Sequence, residues 1–186
     1  RKRTKKTIIA CNKIDSKGAY DNYLRLKERF KEYIFVPCSA ESELALREAA
    51  KQKLIEYIPG DNKFKIIDEG KLNEAQKRAL NFIKTNILDK LGSTGVQDIL
   101  DKAVFELLQY IAIFPGGVNN LVDKHGNVLP DCFLLSKGST PVDFAYKIHS
   151  DIGDHYVKAI NVKTKMPLAK EYVLQNRDVI EIKTSK

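Results

Sequence analysis

Asn12, Lys13 and Asp15 stand in the order N-K-x-D, and Ser39, Ala40 and Glu41 follow as S-A-E. Those residue types suit the edge of a planar heterocycle. One carboxylate accepts two N–H donors at once when they sit side by side, and guanine offers that pair: a ring N–H beside an exocyclic amine. Adenine presents no matching pair. Asp15 is therefore the expected source of specificity, through a charged two-point hydrogen bond. Lys13 is expected to lay its alkyl stem along the base and ribose. Asn12 steadies the loop and reaches the base edge. In the second loop, the backbone N–H of Ala40 is expected to meet the base carbonyl, since a small residue lets the main chain come close; Ser39 and Glu41 flank it.

Chemistry of this kind needs both loops on one rim. Residues 7–11 form an uninterrupted β-rich apolar run that reads as a buried strand. Apolar residues at 20, 23, 24, 26, 30 and 33 alternate with charges as in an amphipathic helix. Residues 34–38 read as a second strand, and a further helix is expected from about Ser42 to Tyr57. Strand, helix, strand, helix is the rhythm of a parallel α/β sheet, and ligands bind such sheets at the carboxyl ends of the strands. The tetrapeptide alone arises by chance in roughly one chain in fifty of this length. Its place after one strand, with S-A-E after the next, gives it weight. The plain alternative is a polar turn followed by a helix cap at Ser39.

Ile58-Pro59-Gly60-Asp61-Asn62 breaks the pattern. Asn73 with Gln76 signals a capping box. Leu80, Ile83, Ile87, Leu88 and Leu91 line one helical face, Gly92-Ser93-Thr94-Gly95 interrupts, and Val96 to Leu108 carry a second stripe. Both stripes read as core. From Ile111 the period changes to strands: 111–114, then a hairpin through His125-Gly126-Asn127 to Val128-Leu129 and 133–135. A short helix opens at Thr140-Pro141-Val142-Asp143, and strands follow at 157–162 and 179–182. Strands around one helix in about 70 residues predict a β-grasp. The expected organisation is an α/β part over 1–60, a helical connector over 61–112 and an α+β, β-grasp domain over 113–186.

Composition narrows the function classes. Of 186 residues, 43% are apolar and 30% charged, and no run has the length of a membrane span. Net charge is +8, but Arg1, Lys2, Arg3, Lys5 and Lys6 supply five of those charges. A basic tip can touch phosphate, yet the remainder is nearly balanced. Cys11, Cys38 and Cys132 form no CxxC and lie at no metal-ligand spacing to His125, His149 or His155, so no metal site is expected and a reducing, cytoplasmic setting fits. No G-x-x-x-x-G-K-[ST], D-x-x-G or matching switch threonine is present. Phosphate amides, lysine and a magnesium-binding hydroxyl are thus missing.

TIIACNKID, VPCSAESELALREA, LIEYIPGD, GSTGVQDILDKAVFELLQYI and GNVLPDCFLLSKGSTPVDFAYKIHSDIG together resemble the C-terminal part of an Obg/YchF-type translation-factor-class GTPase, nearest its archaeal YchF-related branch. The last of these, with YVKAINVKTK and NRDVIEI, is similar to a TGS domain, the ubiquitin-like β-grasp module named for threonyl-tRNA synthetase, GTPases and SpoT. The resemblance implies a remnant of a Ras-like P-loop GTPase sheet, and contacts from Asn12, Lys13, Asp15, Ser39 and Ala40 to the guanine of GTP or GDP rather than ATP. It also implies a partner in the upstream half of the GTPase domain, which would carry the P-loop, the switches and the Mg2+ site. On this expectation the chain alone does not hydrolyse GTP and has no catalytic residue.

A ribosome- or RNA-facing role for the TGS-like segment is implied by resemblance as well. Its ten basic and eight acidic residues form no strong electrostatic footprint. Lys124 and His125 at the hairpin tip, and Lys163 and Lys165 in a later turn, are the candidate contacts. His149 reads as a cap or packing residue. Two other readings stay open: a free-standing TGS-type RNA-binding or adaptor module with a degenerate α/β remnant, and a fragment of a threonyl-tRNA or (p)ppGpp synthetase. N-K-I-D followed by S-A-E argues against the last.

Overall fold

The computed structural model describes residues 6–122, 125–129 and 131–185. The chain divides into two compact units that meet between Ala103 and Val104.

In the first unit, β1 (Ile8–Cys11) and β2 (Ile34–Pro37) pair in parallel, from Ile8 opposite Ile34 to Cys11 opposite Pro37. A parallel pair needs a crossover, and α1 (Ala19–Arg29) supplies it, entered through Gly18 at φ +76°. Phe35 and Val36 of β2 are buried, whereas β1, expected to be buried, is only partly covered and Ala10 is exposed. Among the described residues β1 has one pairing partner, β2, so its other edge is open.

The helix expected to reach Tyr57 ends earlier: α2 spans Ala40–Lys51. Lys53 turns left-handed at φ +57°, its N–H donates to the Ala50 carbonyl, and the Leu54 N–H donates to that of Ala49. This is a Schellman stop with lysine where glycine is usual. The chain then forms β3 (Ile55–Glu56), which pairs antiparallel with β4 (Lys65–Ile66).

Asn73 and Gln76 make the capping box, each bond 2.9 Å, and open α3 (Glu74–Ile83). The helix continues through a π segment, Lys84–Leu88, into α4 (Asp89–Leu91). Leu80, Ile83, Ile87 and Leu88 are buried with Ile14, Tyr23, Phe35, Leu46 and Ile55, which makes this face the core of the first unit. The stripe from Val96 behaves otherwise. After α5 (Val96–Asp101) the winding widens to π turns over Lys102–Leu107. That change of period carries side chains off the 3.6-residue stripe. Leu108, just past these turns, is 49% exposed rather than core; Leu100 lies on α5 before them and is 52% exposed.

The second unit holds β5 (Tyr110–Pro115), β6 (Phe133–Ser136), α6 (Pro141–Ile148), α7 (Ser150–Asp154), β7 (Tyr156–Asn161), β8 (Met166–Leu168) and β9 (Asp178–Thr184). The sheet order is β6-β5-β9-β7-β8, with β5 and β9 parallel and the other pairs antiparallel. The expected hairpin forms as the antiparallel pair β5–β6, with Ile111 opposite Leu135, and its long connection holds one further antiparallel bridge, Val122 with Val128. Strand β8, three residues long, has no sequence signal. Thr140 and Asp143 cap α6 reciprocally with Pro141 in the first turn. Phe144 on α6 is fully buried among Ile111, Ile113, Leu135, Ala159 and Ile180. A helix packed across one face of a mixed five-stranded sheet is the β-grasp arrangement.

Candidate functional site: two loops at the ends of a parallel strand pair

β1 and β2 each run into a loop, and the loops are bonded to one another. The Cys38 N–H donates to the Cys11 carbonyl at 3.0 Å, and the Ile14 N–H to the Cys38 carbonyl at 3.1 Å. Asn12 completes the link: its Oδ1 accepts the Ala40 N–H at 3.0 Å. The amide expected to meet a base carbonyl is therefore held by Asn12 in this structure. Lys13 takes the left-handed conformation, φ +60°, and its carbonyl accepts the Ser16 N–H at 3.0 Å. The turn sends Ile14 into the core, 7% exposed. Asn12, Lys13 and Asp15 stay at the surface with Ala40 and Glu41. Ser39 is 1% exposed. It caps α2, with its Oγ accepting the Ser42 N–H at 3.4 Å and donating to Ser42 Oγ at 2.8 Å.

Asp15 borders two concavities. One, of about 240 Å³, is lined by Asp15, Glu41, Ser42, Ala45, Phe82 and Ile83 among others. The other, of about 380 Å³, is lined by Asp15, Ser16, Tyr20, Asn86, Lys90 and Leu91 among others. α3 and its π continuation thus form a wall beside the acidic residue of the first loop.

Below the loops lies a polar cluster without a counterpart in the sequence reading. Glu43, 4% exposed on α2, accepts from Thr94 Oγ1 at 2.6 Å, Tyr57 Oη at 2.8 Å and Arg47 Nε at 2.6 Å. Burial pushes its carboxyl pKa up, but the bonds from Thr94, Arg47 and Tyr57 outweigh that and hold it below the ordinary glutamate value. Burial, then the Glu43 carboxylate, pushes the Tyr57 phenol up to about 12, so Tyr57 remains a donor. The Thr94 carbonyl accepts the Ser39 N–H at 2.9 Å. Gly95 lies so close that a Cβ there would stand 2.0 Å from the Pro37 carbonyl oxygen. One signal was present in the sequence: Glu43 falls on the same helical stripe as Leu46 and Ala50, where a carboxylate needs buried donors.

Guanine fits this donor and acceptor set, with an exposed carboxylate, a lysine stem and a close-set backbone. A magnesium ion does not: among the described residues no group of three or more His, Cys, Asp or Glu is placed to hold a metal. In the second unit, Lys124 lies outside the described residues. His125 is exposed, as are Lys163 and Lys165. Lys163 Nζ donates to the Arg177 carbonyl at 2.8 Å, and Lys165 sits at φ +60° in a turn built on Asn161. His149 caps α7, its Nδ1 accepting the Asp151 N–H at 3.2 Å.

The chain thus joins two parallel strands, whose end loops carry N-K-x-D and S-A-E, to a β-grasp unit. The profile of the Obg-like GTPase YGR210-like, G4 motif-containing domain matches residues 10–118, and that of the TGS domain matches residues 120–184. The chain belongs to this YGR210-like branch of the Obg/YchF GTPases. It is 47% identical to a GTP-binding protein of Methanocaldococcus jannaschii over 98% of this chain and 46% of that protein. The crystal structure of a GTP-binding protein from Pyrococcus horikoshii covers 95% of this chain at 40% identity and a TM-score of 0.67, using 45% of its own length. The Schizosaccharomyces pombe YchF GTPase shares the fold, with a TM-score of 0.54 at 16% identity over 96% of this chain and 43% of that one. The chain therefore spans less than half the length of these relatives.

Proposed function

We propose that the first unit is the base-reading part of a guanine-nucleotide site. The observation that carries this is the Asn12–Ala40 bond, which fixes two loops of the right composition side by side at the carboxyl ends of β1 and β2. Asp15 stands exposed beside that bond and accepts the guanine ring N–H and amine. Lys13 covers the base. Ala40 and Glu41 close the far edge, with Ser39 holding the loop from beneath. The open edge of β1 receives the remainder of the sheet, an upstream half that brings the phosphate loop, the switches and their Mg2+. This chain alone binds the base weakly and does not hydrolyse GTP. We further propose that the second unit, matched by the TGS domain profile over residues 120–184 and holding its own core, serves as a ribosome- or RNA-facing adaptor.

Amide NMR of the labelled chain with GDP and ADP tests the base reading. GDP is expected to move the Asn12, Asp15 and Ala40 amides with a dissociation constant on the order of 1 mM or weaker, and ADP to leave them in place. Asp15→Asn should abolish the GDP response and admit xanthosine diphosphate, whose ring carries a carbonyl where guanine carries the amine. Equal responses to GDP and ADP would overturn guanine specificity. Micromolar binding, or magnesium-dependent phosphate release, would overturn the claim that the phosphates have no holder here.

A further inference from the structure

We infer that Thr94 is a positioning residue for the second base loop, acting through Glu43; the inference rests on the base reading above. Three observations converge on one point. The Thr94 carbonyl accepts the Ser39 N–H, and its hydroxyl donates to one oxygen of the buried Glu43 carboxylate. Glu43 sits one turn into α2, whose first residue is Ala40. Gly95 presses the same turn onto the main chain at Pro37 and Cys38, the residues that lead into Ser39. Ala40 is therefore set from both sides: by Asn12 from the first loop, and by Thr94 and Glu43 from beneath.

Thr94 is fully buried, and Glu43 draws donors from three places in the chain, at Arg47, Tyr57 and Thr94. A carboxylate with all these donors in place has little freedom to rotate. It fixes the first turn of α2 in azimuth, and with it the direction of the Ala40 N–H. None of these groups touches the base. Their effect is on where the loop stands.

Thr94→Val removes the hydroxyl and keeps the backbone carbonyl, and Thr94→Ser keeps both. In the whole chain, hydrogen exchange of the Ala40 N–H is expected to quicken at least tenfold in Thr94→Val relative to the β1–β2 ladder amides, and to return within twofold in Thr94→Ser. The dissociation constant for GDP should rise about fivefold or more in Thr94→Val alone. Ile87→Val, at a fully buried core position outside the Thr94–Glu43 hydrogen bonds, controls for lost stability and should leave both readouts within twofold. Unchanged Ala40 exchange in Thr94→Val, or equal changes in Ile87→Val, would overturn the inference. A wild-type chain whose amides ignore GDP would remove the base reading, while the exchange comparison still decides whether Thr94 positions the loop. Should Thr94→Val fail to fold, Glu43→Gln, with its charge removed, takes the same two measurements against the same control.

Discussion

Gly95→Ala should destabilise the first unit far more than Gly18→Ala, although both glycines have nearly the same backbone. Their φ angles are +79° and +76°. Each alanine carries the left-handed penalty of about 1–2 kcal/mol. At Gly18 nothing lies within 4 Å of the new Cβ, so the cost ends there. At Gly95 the Cβ would meet the Pro37 carbonyl oxygen at 2.0 Å and Cys38 Cα at 2.9 Å. These are backbone atoms. Cys38 is pinned by bonds to Cys11 and Ile14, so no side chain can swing away. Overpacking of that kind adds about 1–3 kcal/mol. The extra ~2 kcal/mol should lower the melting temperature of the first unit about 10 °C further than Gly18→Ala does. The chain has no tryptophan, so the two units are best followed separately by amide NMR against temperature, with Leu46 and Phe144 as reporters. Equal losses for the two variants would refute the close-approach account of Gly95.

Three other outcomes are expected. Glu43 has a native pKa below the ordinary glutamate value, so its contribution is complete above that value and is lost as pH falls through the native one. Glu43→Gln should therefore be less stable than wild type at pH 7, with the gap closing on acidification when melting temperatures are compared between pH 7 and 3. At the alkaline end Tyr57 acts with the opposite sense: its stabilisation is intact below pH 10 and is lost as pH rises through about 12, a limb that Tyr57→Phe should remove. Phe144→Ala deletes a fully buried ring stacked edge-to-face on Phe133 at 5.8 Å. It should cost the second unit about 3–5 kcal/mol and leave the first unit's transition in urea unchanged.

What the sequence discloses and what it hides follow from range. The boxes at Asn73–Gln76 and Thr140–Asp143 are legible because both partners lie three residues apart. The loops after β1 and β2 are legible because apolar runs stop abruptly at polar residues with no room for another partner. The end of α2 is not, because Lys53 occupies the left-handed position where glycine would announce a stop. The β3–β4 ribbon and β8 are too short for any period to show. The π segment after α5 breaks the spacing on which stripes are read, so Leu108, beyond it, passes for core. The bond from Thr94 to Glu43 joins residues 51 apart, and Gly92-Ser93-Thr94-Gly95 reads only as a gap between helices. The two exposed loops announced themselves, and the buried group that holds one of them in place did not.

Strand β9 lies at the centre of the second sheet, between β5 and β7, although it is the last of the sheet's described strands to be reached along the sequence. Ile113 waits for Asp178 before the sheet can close. During synthesis β5 and β6 can meet early and β7 can turn back on β8, but the two hairpins remain separate until the final strand slots between them. Such distant pairing slows folding. Losing a few residues after Asp178 would take away the strand that joins the halves, where trimming a terminal edge strand would only narrow the sheet. Deleting Val179 to Thr184 should therefore abolish the unit outright.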